Sequence, residues 1–311
     1  MSALWASITT TPCSATAISK HVNHLKNFYK KTKMRWIKIT GGLGNQMFIY
    51  AFYLQMRKRF PNTRIDLTDM LKYNAHNGYE LQRVFGISDN EVRLPQWLKK
   101  TIEFLFFKTI IERKQNLETM EAFTKEYHYP LIYFKGFYQS ERFFAGVTDK
   151  VRKAFTFNPK LANSSTTSML QDIDANEHSV SLHVRRGDYM DPKFYERYGK
   201  VCTLKYYQRA IKHILSIDAQ AKFYIFSNDI DWVKENLDIT NATFIDFNQG
   251  KDSWQDMMLM SHCRHNVICN SSFSWWGAWL NPNPKKAVIA PMRWLSDIEM
   301  PYIIPKPWIK L

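Results

Sequence analysis

From about residue 177 onward, short apolar runs alternate with amphipathic stretches, and this alternation limits the architecture more than any other feature. Runs at 180–184, 223–226, 243–247, 266–269 and 287–290 have strand length and are rich in β-branched or aromatic residues. Helical patterns separate them: one begins at Thr203, others cover 231–237 and 254–263, and one runs through Trp279. After Thr203, the residues Leu204, Tyr207, Ile211, Ile214 and Leu215 mark one face at helical spacing. Strands and helices alternating at this spacing mean a parallel sheet wrapped by helices, an α/β fold.

The preceding part repeats this logic less regularly. It holds expected strands at 36–40 and 63–67 around a helix at 45–60, then a basic and aromatic segment, a strand near 131–137 and a helix at 140–155. Residues 159–176, rich in Ser, Thr and Asn, read as a linker. The expected organisation is therefore a basic, disordered or amphipathic extension at 1–33, a first domain at 34–158, the linker, and a second domain at 177–311.

Three motifs sit at strand ends. His183-Val184-Arg185-Arg186-Gly187-Asp188-Tyr189 follows the alternating run that starts at Ser179. Two arginines, a glycine turn and a carboxylate at that place make a compact anion receptor, because the guanidinium fork matches phosphate oxygens and never loses its charge. In open α/β sheets ligands bind beyond the carboxyl ends of strands. A plain Arg–Asp ion pair closing a strand is the simpler alternative. Gly41-Gly42-Leu43-Gly44-Asn45-Gln46-Met47-Phe48 puts three glycines between a strand and a long apolar helix. Its spacing is neither the dinucleotide fingerprint nor a P-loop. Asn270-Ser271-Ser272-Phe273-Ser274-Trp275-Trp276 ends a buried strand in hydroxyl residues able to cap the next helix, whose free N–H groups suit a phosphate. Its tryptophans read as core.

Together and in this order, with Phe226-Ser227-Asn228-Asp229 between them, these segments resemble the α-1,2-fucosyltransferases of glycosyltransferase family 11. The resemblance runs from about Met34 to the C-terminus. It implies a GT-B glycosyltransferase, two Rossmann-like domains facing a central cleft, which uses GDP-fucose and inverts the anomeric centre without a metal or other cofactor. The implied reaction is transfer of L-fucose to the 2-hydroxyl of a terminal β-galactose on an oligosaccharide or lipid-linked glycan. A GT-B transferase of different acceptor or linkage, and an inactive nucleotide-sugar-binding module, are the alternatives.

Breaking the bond between fucose and GDP builds negative charge on the β-phosphate, which needs a cation or strong donors. The resemblance gives that role to Arg185, and Arg186 would brace the loop by pairing with Asp188. His183 would contact the nucleoside, and a satisfied strand-end histidine is its rival reading. Asp256 would accept from guanine N1 and N2. Ser272, Phe273 and Ser274 would hold phosphate from the other side, Asp229 would line the nucleotide pocket, and Gly44 and Asn45, with Gln46, would reach across from the first domain. The family pattern Ser-Asp-Asp departs here to Ser227-Asn228-Asp229, which removes a charge at 228. For the base that takes the acceptor proton, Asp188 and Asp191 lie near the sugar end and neither stands out.

Composition fits such an enzyme. Hydrophobic content of 45% and aromatic content of 15% over 311 residues exclude a disordered chain. The net charge is +15, and Lys20, Lys26, Lys30, Lys31 and Lys33 contribute to it in a stretch without acids. A basic balance suits nucleic acid, an anionic membrane or a phosphorylated substrate. No nucleic-acid module is recognised, which leaves a sugar nucleotide and peripheral contact with a lipid surface. Four cysteines show no CxxC pair, and His262-Cys263-Arg264-His265 with Cys269 matches no structural zinc spacing. The triplets Asp172-Ile173-Asp174 and Asp229-Ile230-Asp231 are expected to be a linker feature and a helix start, not metal ligands. No run reaches the length of a membrane span, and no signal peptide is evident. The sequon at Asn270 falls inside the supposed site, where a glycan would destroy it. The expected location is cytoplasmic.

Overall fold

The computed structural model describes residues 33–72, 76–88, 91–112 and 129–311. The extension expected at 1–33 lies, except for Lys33, outside the described residues. Two parallel sheets organise the rest. The first has β1 (Met34–Lys38), β2 (Thr63–Asp66), β3 (Glu91–Val92), β4 (Lys108–Ile111) and β5 (Leu131–Lys135) in the order β3-β2-β1-β5-β4. The second has β6 (Ser179–Val184), β7 (Lys222–Ser227), β8 (Ala242–Ile245), β9 (His265–Val267), β10 (Val288–Ala290) and β11 (Ile309–Lys310) in the order β11-β10-β9-β6-β7-β8. Every described strand pair is parallel.

The main α-helices among the described residues are α1 (Leu43–Arg59), α2 (Leu81–Phe85), α3 (Gln96–Phe106), α4 (Thr148–Ala154), α5 (Ser164–Ala175), α6 (Leu204–Ile217), α7 (Ile230–Asn236), α8 (Trp254–His262) and α9 (Ser272–Leu280). A parallel sheet is covered on both faces, and all six residues of β6 are buried. In α6 the buried stripe takes in Tyr206 and Ala210 as well as Tyr207, Ile211 and Ile214, whereas the expected Leu215 is exposed. That stripe packs under Val180, Leu182 and Phe223.

A single apolar cluster ties the halves together. The ring of Phe48 on α1 lies 4.5 Å from Trp275 and 4.8 Å from Trp276 on α9. The Trp275 indole N–H donates to the Ile303 carbonyl at 2.8 Å, and that of Trp276 donates to the Gly44 carbonyl at 2.9 Å. The tryptophans of this motif are therefore core residues with satisfied donors. After β10 the chain returns to the first domain, where the Tyr302 carbonyl accepts from the Ser140 hydroxyl at 2.8 Å.

Three segments differ from the sequence reading. The expected helix at 140–155 is a 3-10 turn, Glu141–Val147, followed by α4, and Phe144 leaves helical geometry at φ −136°. That break lays its ring on Trp276 at 5.6 Å and against Trp279 at 5.4 Å. The Ser- and Thr-rich stretch expected as a linker contains α5. The Asn163 side chain accepts from the Thr166 N–H at 2.8 Å and caps it, and buried Thr166 and Ile173 hold it to the second domain. Its hydroxyl residues are cap and surface residues of a helix rather than loop formers. The basic and aromatic segment of the first domain contains α3, β3 and β4, whose strands are too short to leave a periodicity. Among the described residues no helix is long and apolar enough to cross a membrane.

Candidate functional site

Each sheet reverses its direction of winding once. In the second sheet β7 and β8 follow β6 to one side and β9 to β11 lie on the other, so the reversal falls between β6 and β9. In the first it falls between β1 and β5. The loops leaving neighbouring strands at such a point diverge and open a crevice. Both crevices feed one cleft of about 830 Å³, lined from β6 and β9 on one wall and from β1 and β5 on the other.

On the second wall, the chain leaving β6 brings His183, Arg185, Asp188 and Tyr189 to the cleft. A guanidinium nitrogen of Arg185 lies 2.8 Å from an Asp188 carboxylate oxygen. Arg186 turns away: its Nε donates to Asp229 at 2.9 Å and its guanidinium covers the Trp232 ring at 4.0 Å. The expected Arg186–Asp188 pairing is therefore replaced by Arg185–Asp188 and Arg186–Asp229. Asp229 also caps α7 by accepting from the Trp232 N–H, so it braces the loop and does not line the cleft. Asn228 accepts from the Arg186 backbone N–H at 2.9 Å. This bond needs no charge at 228, and it explains how the departure from Ser-Asp-Asp is accommodated. Gly187, at φ +20°, is packed so closely that an added Cβ would lie 2.0 Å from the Asn228 amide nitrogen.

His183 is buried, its Nδ1 lies 3.2 Å from the Cys269 sulfur, and burial together with the nearby Arg185 pushes its pKa down to about 3. It is a neutral imidazole near neutral pH. Opposite it, the Ser271 side chain caps α9 by accepting from the Phe273 N–H, and Ser271, Ser272 and Phe273 line the cleft. Ser274 does not. It is buried, and its hydroxyl donates to the Ser271 carbonyl at 3.4 Å. Asp191 also lies outside the lining, with its side chain accepting from the Lys193 N–H at 2.9 Å to cap a turn.

Farther along the same wall stands Asp256, in the first turn of α8. Burial, opposed by a hydrogen bond from Asn248, and with Asp246 nearby, pushes its carboxyl up to about 7. The Asn248 amide donates to it at 2.9 Å and itself accepts from the Thr166 hydroxyl at 3.0 Å. The helix taken for a linker thus fixes this carboxylate through Asn248.

The first wall is built differently. A Cβ on Gly44 would meet the backbone of Ser272 at 2.6 Å, so this glycine lets α1 touch the start of α9. Gln46, expected to face the ligand, is fully buried: its amide donates to the carbonyls of Gly41 and Gly78, and its oxygen accepts from the Glu80 N–H. Asn45 lines the cleft but accepts from Gln139 at 2.7 Å, which bridges the β1 and β5 loops. Glu80 is the acid of this wall. Burial raises its carboxyl above the ordinary value, against Arg83 at 2.7 Å and Asn77 at 3.3 Å. Asn77 and Arg83 also donate to the carbonyls of Gly250 and Lys251, joining the two walls.

The two acidic triplets do not converge. Asp172 accepts from Lys222 and Tyr224 at 2.8 Å, and Asp174 pairs with His262 at 2.9 Å. His265 accepts from the Ala287 N–H, and Cys263 bonds within α8. Among the described residues no three His, Cys, Asp or Glu side chains gather into a metal site.

The sequence profile described as Glycosyl transferase family 11 matches residues 5–309. The chain belongs to glycosyltransferase family 11. An Escherichia coli protein named alpha-1,2-colitosyltransferase is 32% identical over 288 residues, spanning 88% of this chain and 97% of that protein. Human galactoside alpha-(1,2)-fucosyltransferase 1 is 28% identical over 158 residues, 49% of this chain and 43% of that one. The solved structure of NodZ alpha-1,6-fucosyltransferase co-crystallized with GDP superposes with a TM-score of 0.52 at 12% identity, over 80% of this chain and 93% of that one. The fold is GT-B.

This family 11 member brings to its cleft several residues that sequence reasoning missed. His76, Asn77, Glu80 and Gln139 come from first-domain loops without a recognisable pattern. Tyr198, Phe194 and Trp294 form an aromatic floor beside Tyr189, whose ring stacks on Tyr198 at 5.1 Å. Asn270 holds this floor by donating to the carbonyls of Tyr198 and Trp294, while its buried Oδ1 has no hydrogen-bond partner. The sequence signal for Asn270 was present in the third motif. That for Trp294 was not, because an isolated tryptophan reads as core.

Proposed function

We propose that this enzyme transfers L-fucose from GDP-β-L-fucose to the 2-hydroxyl of a terminal β-galactose, with inversion at the anomeric carbon and without a metal ion. The observation that carries the reading is one cleft in which Arg185, the capped start of α9 and Asp256 stand along the same wall. Arg185 and the first N–H groups of α9 receive the diphosphate and the charge that develops on it as the glycosidic bond breaks. Asp256, when ionised, accepts from N1 and N2 of guanine. Neutral His183 packs beside the nucleotide and takes no proton. The acceptor proton goes to a carboxylate of the cleft, either Asp188, held against Arg185, or Glu80 on the facing wall. Asp188→Asn and Glu80→Gln separate these two, since only the base should lose turnover while GDP affinity stays.

A second reading has support. The 32% identical relative is named for colitosyl transfer, and colitose is fucose without its 3-hydroxyl, so GDP-colitose is the competing donor. The acceptor would be a cytoplasmic oligosaccharide or lipid-linked glycan. The test is incubation with GDP-fucose, lactose and lacto-N-biose, with and without EDTA, read by mass spectrometry and NMR. An α-1,2-linked fucosyl product, unchanged by EDTA, is expected. Release of fucose without transfer would reject the acceptor, EDTA inhibition would reject the metal-free mechanism, and neither product would reject the donor.

A further inference from the structure

Helix α3 lies on the face of the first sheet turned away from α1. Its inner side, with Ile102 and the following Phe107, covers Trp36, Val92 and Tyr133. Its outer side is unusual for a soluble surface: Trp97 is 70% exposed, Phe104 87%, and Leu105 and Phe106 61% each. None of these residues lines the cleft. Exposed Lys100 and Lys108 flank them, the Lys108 ammonium 5.5 Å from the Tyr129 ring centre. Among the described residues, three acids around the helix are ion-paired: Glu103 with Lys135, Glu91 with Arg93, and Asp69 with Lys38 and Lys99. The strip is thus apolar and cationic at once.

We propose that this face docks the enzyme on a bilayer surface with anionic headgroups. An 11-residue helix is too short to span a bilayer. One with Trp, Phe and Leu on a side flanked by lysines lies in the interfacial plane, where aromatic rings enter the headgroup layer and lysines meet phosphates. A twofold dimer through the same strip would bury Lys100 and Lys108 of both copies in one interface, which disfavours a second copy as the occupant. The position leaves the cleft free to accept a substrate carried by the membrane.

The test is co-sedimentation of the full chain with vesicles, combined with turnover on a soluble disaccharide acceptor. Binding is expected to vesicles rich in phosphatidylglycerol, and to fall at least about tenfold on pure phosphatidylcholine or at high salt. Phe104→Ser with Leu105→Ser should reduce it by about tenfold or more. Lys100→Glu with Lys108→Glu should act similarly, at about fivefold for each lysine charge lost. Soluble turnover should stay within about twofold, because none of the four residues touches the cleft. Equal binding to both lipids, retained binding in both double variants, or a dimer in sedimentation velocity that Phe104→Ser with Leu105→Ser dissolves would overturn the proposal. Failure of fucosyl transfer would leave it untouched, since vesicle binding is read without turnover.

Discussion

The two walls of the cleft begin alike and end differently. Each follows a strand at a point where its sheet reverses, and each carries a glycine motif. On the second wall the motif ends in groups that face the cleft: Arg185, Asp188 and Tyr189, with Ser272 and Asp256 from the elements beyond. On the first wall the motif is mostly consumed by contacts within the protein. Gly44 meets Ser272, Gln46 holds the 78–80 loop, and Asn45 holds Gln139. A glycine-rich strand end therefore signals close approach, and only the surrounding chemistry tells whether a ligand or another backbone approaches. The two walls differ in the groups they present. The second wall offers a guanidinium and helix N–H groups to an anion, and the first offers a carboxylate and amides suited to hydroxyls.

The sharpest way to break this contrast is Arg185→Ala. Arg185 leaves the strand end beside the capped start of α9, so turnover should fall roughly 10²–10³-fold while the melting temperature holds. Retained turnover, measured by GDP release, would mean the wall is assigned wrongly.

Next in size is Asp256→Asn, which should separate function from stability. The folded carboxyl, pushed up to about 7, keeps a proton that the unfolded chain surrenders near 3.8. Between those values the native state binds more protons, so stability falls as pH rises and is lowest, for this group, above 7. Asparagine keeps the oxygen that accepts from Asn248 and removes that cost. Thermal melts at pH 8 should show the variant more stable by roughly 2–4 kcal/mol, a difference that vanishes toward pH 4. GDP should nevertheless bind more weakly. Wild-type affinity should drop by up to about tenfold per pH unit below 7 as the carboxyl protonates, and the variant should lose that slope. A variant less stable at pH 8 would refute the burial argument.

Gly44→Ala tests the first wall. Its Cβ would strike the Ser272 backbone, so unfolding should be easier by roughly 1–3 kcal/mol in denaturant titration. An unchanged midpoint would show that the two motifs do not touch. The smallest effect is expected from Asn163→Ala, which removes the α5 cap at about 1 kcal/mol together with the hydrogen bond that the Asn163 amide donates to Asn248 at 2.9 Å.

Much of the second domain was legible because strands such as β6, six residues of alternating apolar pattern, are long enough to recognise and recur between helical stretches. In the first domain β3 and β4 have two and four residues, too few for a pattern to rise above chance. α5 was hidden because Ser164, Ser165, Thr166, Thr167 and Ser168 read locally as loop, and only its packing on α8 and the Asn163 cap make it helical. Within the site, Arg185 and Asp256 were named through the family resemblance, and both line the cleft. Ser274, Asp191 and Asp229 were chosen on sequence proximity, but side-chain direction decides such cases: each points into a cap or a loop brace. Glu80 and Gln139 could not be found, because they reach the cleft only through the fold of the first sheet.

Calorimetric titration of GDP into wild type, Arg185→Ala and Asn45→Ala compares the walls most directly. The account predicts affinity at least about tenfold weaker for Arg185→Ala, and within about twofold of wild type for Asn45→Ala, whose side chain serves Gln139. Unchanged affinity in Arg185→Ala, or an equal loss in Asn45→Ala, would contradict the claim that the second wall alone holds the diphosphate.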